Sequence, residues 1–460
     1  MDTSFAAWTE RRCGAGILPV SGMAACATRR PTRAAWRRVC VAALLSLGVS
    51  LGASPLAAAQ DSPGASAEGL VALARTTNPA FAAERHQTQA VRERVGAAGA
   101  LPDPRFQVEL MDVTNTMRGG NTALLPGEVG ETRYRVVQPL PGWGKRALER
   151  DAARTAAARA EAGQDAAWRT LEAQVRAVWL RYWQADREAR LNGAQQRLLK
   201  SVEESALARY RNGIGSQQAV LQAQRAHAAE RLAALSIAQR REGAAAALNA
   251  LLGRTPDAPL ALPDDPPPLP AKLDFPSLVK RVRQAHPEAR AEAVGVEAAR
   301  IERERTRRER QPDYAVGLTY NRPRGGQESW DLMFEVMIPL QQGVRDARER
   351  ETAALSLAAD ARRLATETRL AGELGTAWSA WQSATDRLRL VRTSLLPQAR
   401  AGRDAARAAL AAGAPSSTDV FEAVLMTERQ VLDTEFALLQ AEAEARLALV
   451  EIGRLSGEIE

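Results

Sequence analysis

The stretch Asn212–Ala223 reads NGIGSQQAVLQA, and the stretch Ala412–Ala423 reads AGAPSSTDVFEA. Gly213 falls on Gly413, Ser216 on Ser416, Val220 on Val420 and Ala223 on Ala423. In each stretch a glycine follows a long helical pattern, and a serine three residues later precedes another. Glycine ends helices in the left-handed conformation, and serine caps helix starts by accepting a backbone N–H. The chain therefore makes the same helix-to-helix turn twice, which is the mark of a duplicated unit.

The repeat extends outward from the turns. Residues 78–103 match 286–313, "VQPLP" at Val137 matches "MIPLQ" at Met337, and "LLGR" at Leu251 matches "EIGR" at Glu451. Each copy reads as helix, two strands, very long helix, tight turn and return helix. The first copy covers 60–255, with strands near 104–138, a long helix about 145–212 and a return helix about 216–252. The second covers 277–460, with strands near 313–338, a long helix about 345–412 and a return helix about 416–455. The upstream helices fall near 76–101 and 285–310. A proline-rich linker, 256–276, joins the copies and reads as a stiff extended tether.

Alternation identifies the strands. In 329–338, Trp330, Leu332, Phe334, Val336 and Ile338 share one face, against Asp331, Met333, Glu335 and Met337. In 314–321, Tyr314, Val316, Leu318 and Tyr320 oppose Ala315, Gly317 and Thr319. Phe106, Val108 and Leu110 oppose Gln107 and Glu109, and Tyr134 and Val136 oppose Arg133 and Arg135. Such strands suit a membrane barrel, and also an antiparallel sheet on a soluble core. In the first rod Leu171, Val175, Val178, Tyr182, Ala185 and Ala189 form a heptad seam. A rod of that length measures roughly 100 Å. Four strands are too few to close a barrel, so their edges require other chains.

The N-terminus explains most of the net charge of +8. Arg29, Arg30, Arg33, Arg37 and Arg38 precede the apolar run Val39–Ala53 and the small-residue stretch SPLAAAQ. That order is a secretory signal peptide, 1–59, with Met23 as an alternative start. The apolar run is shorter than the roughly 20 residues of a spanning helix. Removing 1–59 takes seven arginines and two acids, leaving 55 basic and 52 acidic side chains. A balanced chain of this kind gives no reason to expect a nucleic-acid partner. All three cysteines, Cys13, Cys26 and Cys40, leave with the signal, so no disulfide framework or thiolate metal site remains.

Catalytic and cofactor patterns are missing. His86, His227 and His286 are the only histidines, and none falls in a ligand-spaced cluster. "GIGSQQA" lacks the third glycine of a dinucleotide loop, and "PGWGKR" lacks the spacing and hydroxyl residue of a phosphate loop. No enzyme, cofactor or metal site is expected. His286 precedes Pro287 as Asn78 precedes Pro79, which fits a helix-start role.

The duplicated unit, together with "ALPDPRFQVEL", "VQPLPGWGKR", "VMIPLQQG", "YRNGIGS" and "LAAGAPSSTDVFEA", resembles the TolC family of outer-membrane efflux proteins. "ALPDP" and "QPLPGWGKR" look most like its heavy-metal efflux branch. The resemblance implies a mainly α fold with a β contribution: four strands per chain in a trimeric 12-strand barrel on an α-helical periplasmic tunnel. It implies an outer-membrane exit duct for heavy-metal cations or drugs. The implied partners are a homotrimer, a periplasmic adaptor, an inner-membrane pump of the RND type and outer-membrane lipid. A duct for type I protein secretion and an exported coiled-coil scaffold are the alternatives. The resemblance also implies that the tips, Gly213, Gly215, Ser216, Gly413, Pro415 and Ser416, meet the adaptor. It implies that Asp419 and Glu422 ring the periplasmic constriction as a cation-attracting gate. Capping alone also accounts for Asp419, since acids favour a helix N-terminus.

The signal makes a direct prediction. Intact-mass measurement of the exported protein should show Gln60 as its first residue, and an uncut or lipid-bearing N-terminus would contradict this reading.

Overall fold

The computed structural model describes residues 63–116, 121–412 and 417–457, with the side chains of 417–421 outside that description. The signal segment and the second turn, including Gly413, Pro415 and Ser416, therefore lie outside the described residues. In chain order the elements are α1 (Ala67–Thr77), α2 (Pro79–Ala97), β1 (Arg105–Met111), β2 (Glu131–Leu140), α3 (Lys145–Arg211) and α4 (Gln217–Leu251). The second copy follows as α5 (Phe275–Ala285), α6 (Pro287–Arg308), β3 (Asp313–Pro323), β4 (Ser329–Met337), α7 (Gln342–Leu390), α8 (Leu396–Ala411) and α9 (Ser417–Ser456).

Three features depart from the sequence expectation. First, a short helix, α1 or α5, precedes each expected upstream helix. A proline pushes the preceding residue out of the helical region, and Asn78 and His286 are both extended, at ψ 120° and 128°. Each then caps the next helix: Asn78 Oδ1 accepts from Phe81 N at 2.8 Å, and His286 Nδ1 accepts from Glu288 N at 3.2 Å. Second, the rod of the second copy is interrupted. Val391–Leu395 forms a π turn, with Leu396 N–H reaching back to Val391 O, immediately before Pro397. Proline has no N–H and its ring clashes with the carbonyl four residues earlier, so the local widening lets the rod continue. The rod of the first copy has no proline and runs unbroken for 67 residues.

Third, the linker is strapped down rather than spanning free space. Ala261 N donates to Pro63 O at 3.1 Å and Asp264 N to Ala65 O at 2.9 Å. Trp179 Nε1 donates to Gly64 O at 2.9 Å and Trp183 Nε1 to Asp265 at 3.3 Å. Arg187 pairs with Asp265, and Arg446 donates to Pro267 O at 2.5 Å. These contacts explain why burial on α3 is wider than a two-helix seam. Leu171, Val175, Tyr182 and Ala185 are buried as the heptads require, and Ala173, Trp179, Leu180 and Trp183 are buried as well.

The core is duplicated like the sequence. In the first copy Leu70, Val175, Leu248 and Leu252 are wholly buried where α1, α3 and α4 meet. In the second, Val282, Leu370, Leu374 and Ile452 play the same part among α5, α7 and α9. Each such side chain stabilises the fold by roughly 1.5–3 kcal/mol.

The four strands form one antiparallel sheet in the order β1-β2-β3-β4. The central pair, β2 with β3, joins the two copies, with Tyr134 opposite Tyr320 and Val136 opposite Leu318. β1 and β4 are the outer strands.

His286 makes this fold acid-sensitive. It is 4 % exposed. Burial first, then Arg169 and Arg454, outweigh Glu288 and Glu373 and lower its pKa from 6.5 to about 4. The folded state thus prefers neutral imidazole. The stability this contributes is fully present above pH 6.5 and falls as the pH drops towards 4, by at most about 3 kcal/mol. His286→Asn, which borrows the capping residue of the first copy, should retain the cap and lose this part of the acid sensitivity. Denaturant melts at pH 7 and pH 4 would check it.

Candidate functional site

The first turn is built from backbone geometry. Asn212 N donates to Ala208 O at 3.1 Å, Gly213 N to Tyr210 O at 3.0 Å and Ile214 N to Arg209 O at 3.0 Å. These bonds satisfy carbonyls that the end of α3 would leave unpaired. Gly213 has φ +71°, where a side chain is strained. Gly215 is required for a different reason. A Cβ there would lie 3.0 Å from both Arg209 Cβ and Tyr210 N, so the returning chain passes too close to α3 for a side chain. Ser216 Oγ accepts from Ala219 N at 3.2 Å and starts α4. Tyr210 and Ile214 project from the turn and are exposed.

Below the turn, Ala206, Ala219, Val220 and Ala223 pack together, and Leu425 of α9 joins them. The start of α9 is thus fastened to the first turn. α9 begins at Ser417, so Asp419 and Glu422 lie three residues apart on its first two turns, on one face. Glu422 is half-buried, and the Asp419 side chain lies outside the described residues. One turn beyond Leu425, Glu428 is buried and paired with Arg407 of α8. His227 Nδ1 meets Glu203 Oε2 at 2.9 Å and clasps α4 to α3. Among the described residues no cluster of histidine and acids could hold a metal ion.

The sheet carries the second part of the site. Its register aligns the apolar positions of all four strands on one face. Val108 lies opposite Tyr134, Tyr134 opposite Tyr320, and Tyr320 opposite Trp330. One residue pair further along, Phe106, Val136, Leu318 and Leu332 form the next row. Val136, Leu318, Leu332 and Phe334 on this face are exposed. The Tyr134–Tyr320 and Tyr320–Trp330 ring pairs, at 6.2 and 5.0 Å, stand at one end, and Tyr314–Phe334, at 6.1 Å, towards the other. The opposite face is polar: Arg135 donates to Thr319 Oγ1 at 3.2 Å and lies 3.9 Å from Glu109, and Asn321 donates to Asp331. No helix among the described residues is long and apolar enough to cross a membrane.

A junction between sheet and rods was not recognised in the sequence. Asp313, the first residue of β3, accepts from Gly142 N at 2.7 Å and pairs with Lys145 Nζ at 2.8 Å. Lys145 also donates to Gln311 O at 3.0 Å. The glycine is necessary, since a Cβ at position 142 would lie 2.6 Å from Pro312 O. The signal was present in "PGWGKR" and "QPD", which adjoin strand ends, but nothing in a linear pattern pairs them.

Comparison with known proteins follows the same outline. Residues 70–254 match the sequence model of the family described as outer membrane efflux protein. No curated protein sequence matches the chain. The outer-membrane channel OprN superposes with a TM-score of 0.71 at 20 % identity, covering 85 % of this chain and 90 % of that one. CusC, described in terms of folding and transmembrane channel formation, gives 0.70 at 17 % identity, covering 85 % and 92 %. The outer membrane protein VceC of Vibrio cholerae gives 0.69 at 18 % identity, covering 86 % and 97 %. At these identities the likeness is one of fold.

The turn geometry separates its two glycines by experiment. Gly213→Ala meets no neighbour within 4 Å, so its cost is backbone strain alone, roughly 1 kcal/mol. Gly213→Asn should cost less, because asparagine tolerates the left-handed region. Gly215→Ala must displace α3 backbone and should lower the melting temperature of the purified protein more than Gly213→Asn does.

Proposed function

Taking the segment 70–254 as an outer membrane efflux protein domain, we propose that the chain is the outer-membrane channel of a tripartite efflux system. The observation that carries the proposal is the sheet. Its faces divide into one apolar and aromatic, one charged, and its four strands leave both edges open. On a soluble protein the exposed apolar face would be an aggregation surface. In a bilayer it meets acyl chains, while the charged face meets water. β2, β3 and β4 have 10, 11 and 9 residues, the length a tilted membrane strand requires.

Three copies close the sheet into twelve strands and remove every edge. The rods then wall a periplasmic duct, with their turns at the far end from the barrel. A scaffold of coiled coils would have no use for such a sheet. The turns, with Tyr210 and Ile214 exposed around Gly213, Gly215 and Ser216, are the surface offered to a periplasmic adaptor, and Gly413, Pro415 and Ser416 form its counterpart. The adaptor links the duct to an inner-membrane pump. The cargo is a heavy-metal cation or a drug.

Transport in this reading is passive and needs no catalytic group. The duct's contribution is a path and a barrier. Asp419 and Glu422 supply the barrier: three copies bring six carboxylates to the axis, and the field between them attracts cations. Substrate moves down the gradient that the pump creates, so this chain need only open and exclude.

Two measurements test this proposal. Native mass spectrometry in detergent should give three chains, and a stable monomer would defeat the barrel. In planar bilayers, Asp419→Asn combined with Glu422→Gln should lose the cation preference and block by multivalent cations that the parent channel shows. Unchanged selectivity and block would return both acids to a helix-start role.

A further inference from the structure

The junction at Asp313 exists once within the chain, but the duplication supplies parts for two. The repeat places Asp103 where the second copy has Asp313, and Arg345 where the first has Lys145. Within one chain these two cannot meet, because Asp103 precedes β1 and Arg345 follows β4, the opposite edges of the sheet. Asp103 is exposed and makes no hydrogen bond or ion pair among the described residues. Among the described residues the Arg345 side chain bonds only backbone, donating to Glu309 O through Nε and to Gln341 O through Nη1.

We propose that Asp103 of one copy pairs with Arg345 of the next, so that each joint between subunits repeats the β2–β3 joint found inside the chain. The inference rests on the trimeric barrel proposed above and adds the register and the residues of its seam. The partner surface is a second copy of this chain, β4 of one against β1 of the next.

The internal pairing fixes that register. Val136 lies opposite Leu318, and Tyr134 opposite Tyr320. Transferring each residue to its repeat partner places Val336 opposite Val108 of the neighbour, and Phe334 opposite Leu110. The outcome has an internal check. A slip of one residue would turn one strand's apolar side chains to the charged face. The transferred register instead puts Val108, Leu110, Phe334 and Val336 together on the apolar face, although nothing in the transfer required it.

The two joints differ in one respect, and the side chains answer it. Gly142 allows Pro312 O to approach closely, but its repeat partner is Gln342, whose side chain forbids that approach. The seam between copies must therefore be wider at this point than the internal joint. Arginine in place of lysine gives a longer reach and a forked head able to span a wider gap to a carboxylate.

Disulfide trapping tests the register. In the exported chain, which loses Cys13, Cys26 and Cys40 with its signal, Val108→Cys with Val336→Cys should oxidise to a covalent trimer that reverts to monomer on reduction. Val108→Cys with Phe334→Cys, and Val108→Cys with Ile338→Cys, are slipped by one pair spacing and should cross-link at least tenfold more slowly. Charge reversal tests the ion pair. Asp103→Arg and Arg345→Asp should each lower the temperature at which the trimer dissociates, and the two together should restore most of the loss. If the protein is a trimer but cross-links faster at a slipped pair, or not at all, the register is wrong. If the double reversal is no better than the worse single one, the ion pair is wrong. If native mass spectrometry finds no trimer, the barrel falls and this seam falls with it.

Discussion

Everything in this molecule depends on the pairing of β2 with β3. Among the described residues it is the one joint where the two copies of the repeat share a ladder of hydrogen bonds, with ten residues of β2 in register against β3. A shift of one residue would put Arg135 on the apolar side and bury nothing in exchange. The register is held from the strand ends as well as along the ladder. Asp313 binds Gly142 and Lys145 at the point where β2 gives way to α3, so the rod leaves the sheet at a defined place. Because α3 is a single unbroken helix, an error at its first turn would be carried along its length of roughly 100 Å.

The far ends of the rods are controlled differently. Midway along, α1 and α5 each complete a core that the long helices could not build alone, and both are placed by a residue before proline. The linker contributes through the Trp183 N–H and arginines, and through Leu260 and Leu273, which pack against the two cores. Trp183 both donates to Asp265 and lies under the Arg446 guanidinium, 5.6 Å from its ring centre. A stiff proline-rich segment costs less to order than a flexible one, because its unfolded state has fewer conformations to lose. That makes it suitable as a strap.

The sequence was legible where a local rule has one solution. Gly213, at φ +71°, and Ser216, capping α4, took the roles their types demanded. The strand faces followed from alternation, and the fold class followed from the order of elements. The sequence misled where a rule has two outcomes. Proline in a helical pattern can end the helix or be absorbed. Pro79 and Pro287 start helices, as the matched Asn78–Pro79 and His286–Pro287 pairs suggest, while Pro397 within the second rod is absorbed by a π turn. Which happens depends on packing that no short window contains. The second turn lies outside the described residues, so Asp419 remains placed by its position on α9 alone. Gly215 was read as part of a tip, and its physical need, the 3.0 Å approach to α3, is visible only in three dimensions.

A duplicated chain contains its own comparison. Where the copies agree, as at Asn78–Pro79 and His286–Pro287, the position does the same local work in both, and either residue can cap. Where they differ, the two surroundings must differ. Lys145 finds Asp313 inside the chain, so a short reach suffices and Gly142 can be pressed against Pro312. Arg345 and Gln342 occupy the same places at the edge of the sheet, with no second strand beside them within one chain. Side chains chosen for an edge that stayed in water would favour charge and bulk that block pairing. β4 instead keeps Trp330, Leu332, Phe334 and Val336 in an unbroken apolar row beside an unpaired backbone. Such an edge is stable only when another strand covers it. In the trimer proposed above, closure of the sheet is as much a requirement of this sequence as the pairing of β2 with β3.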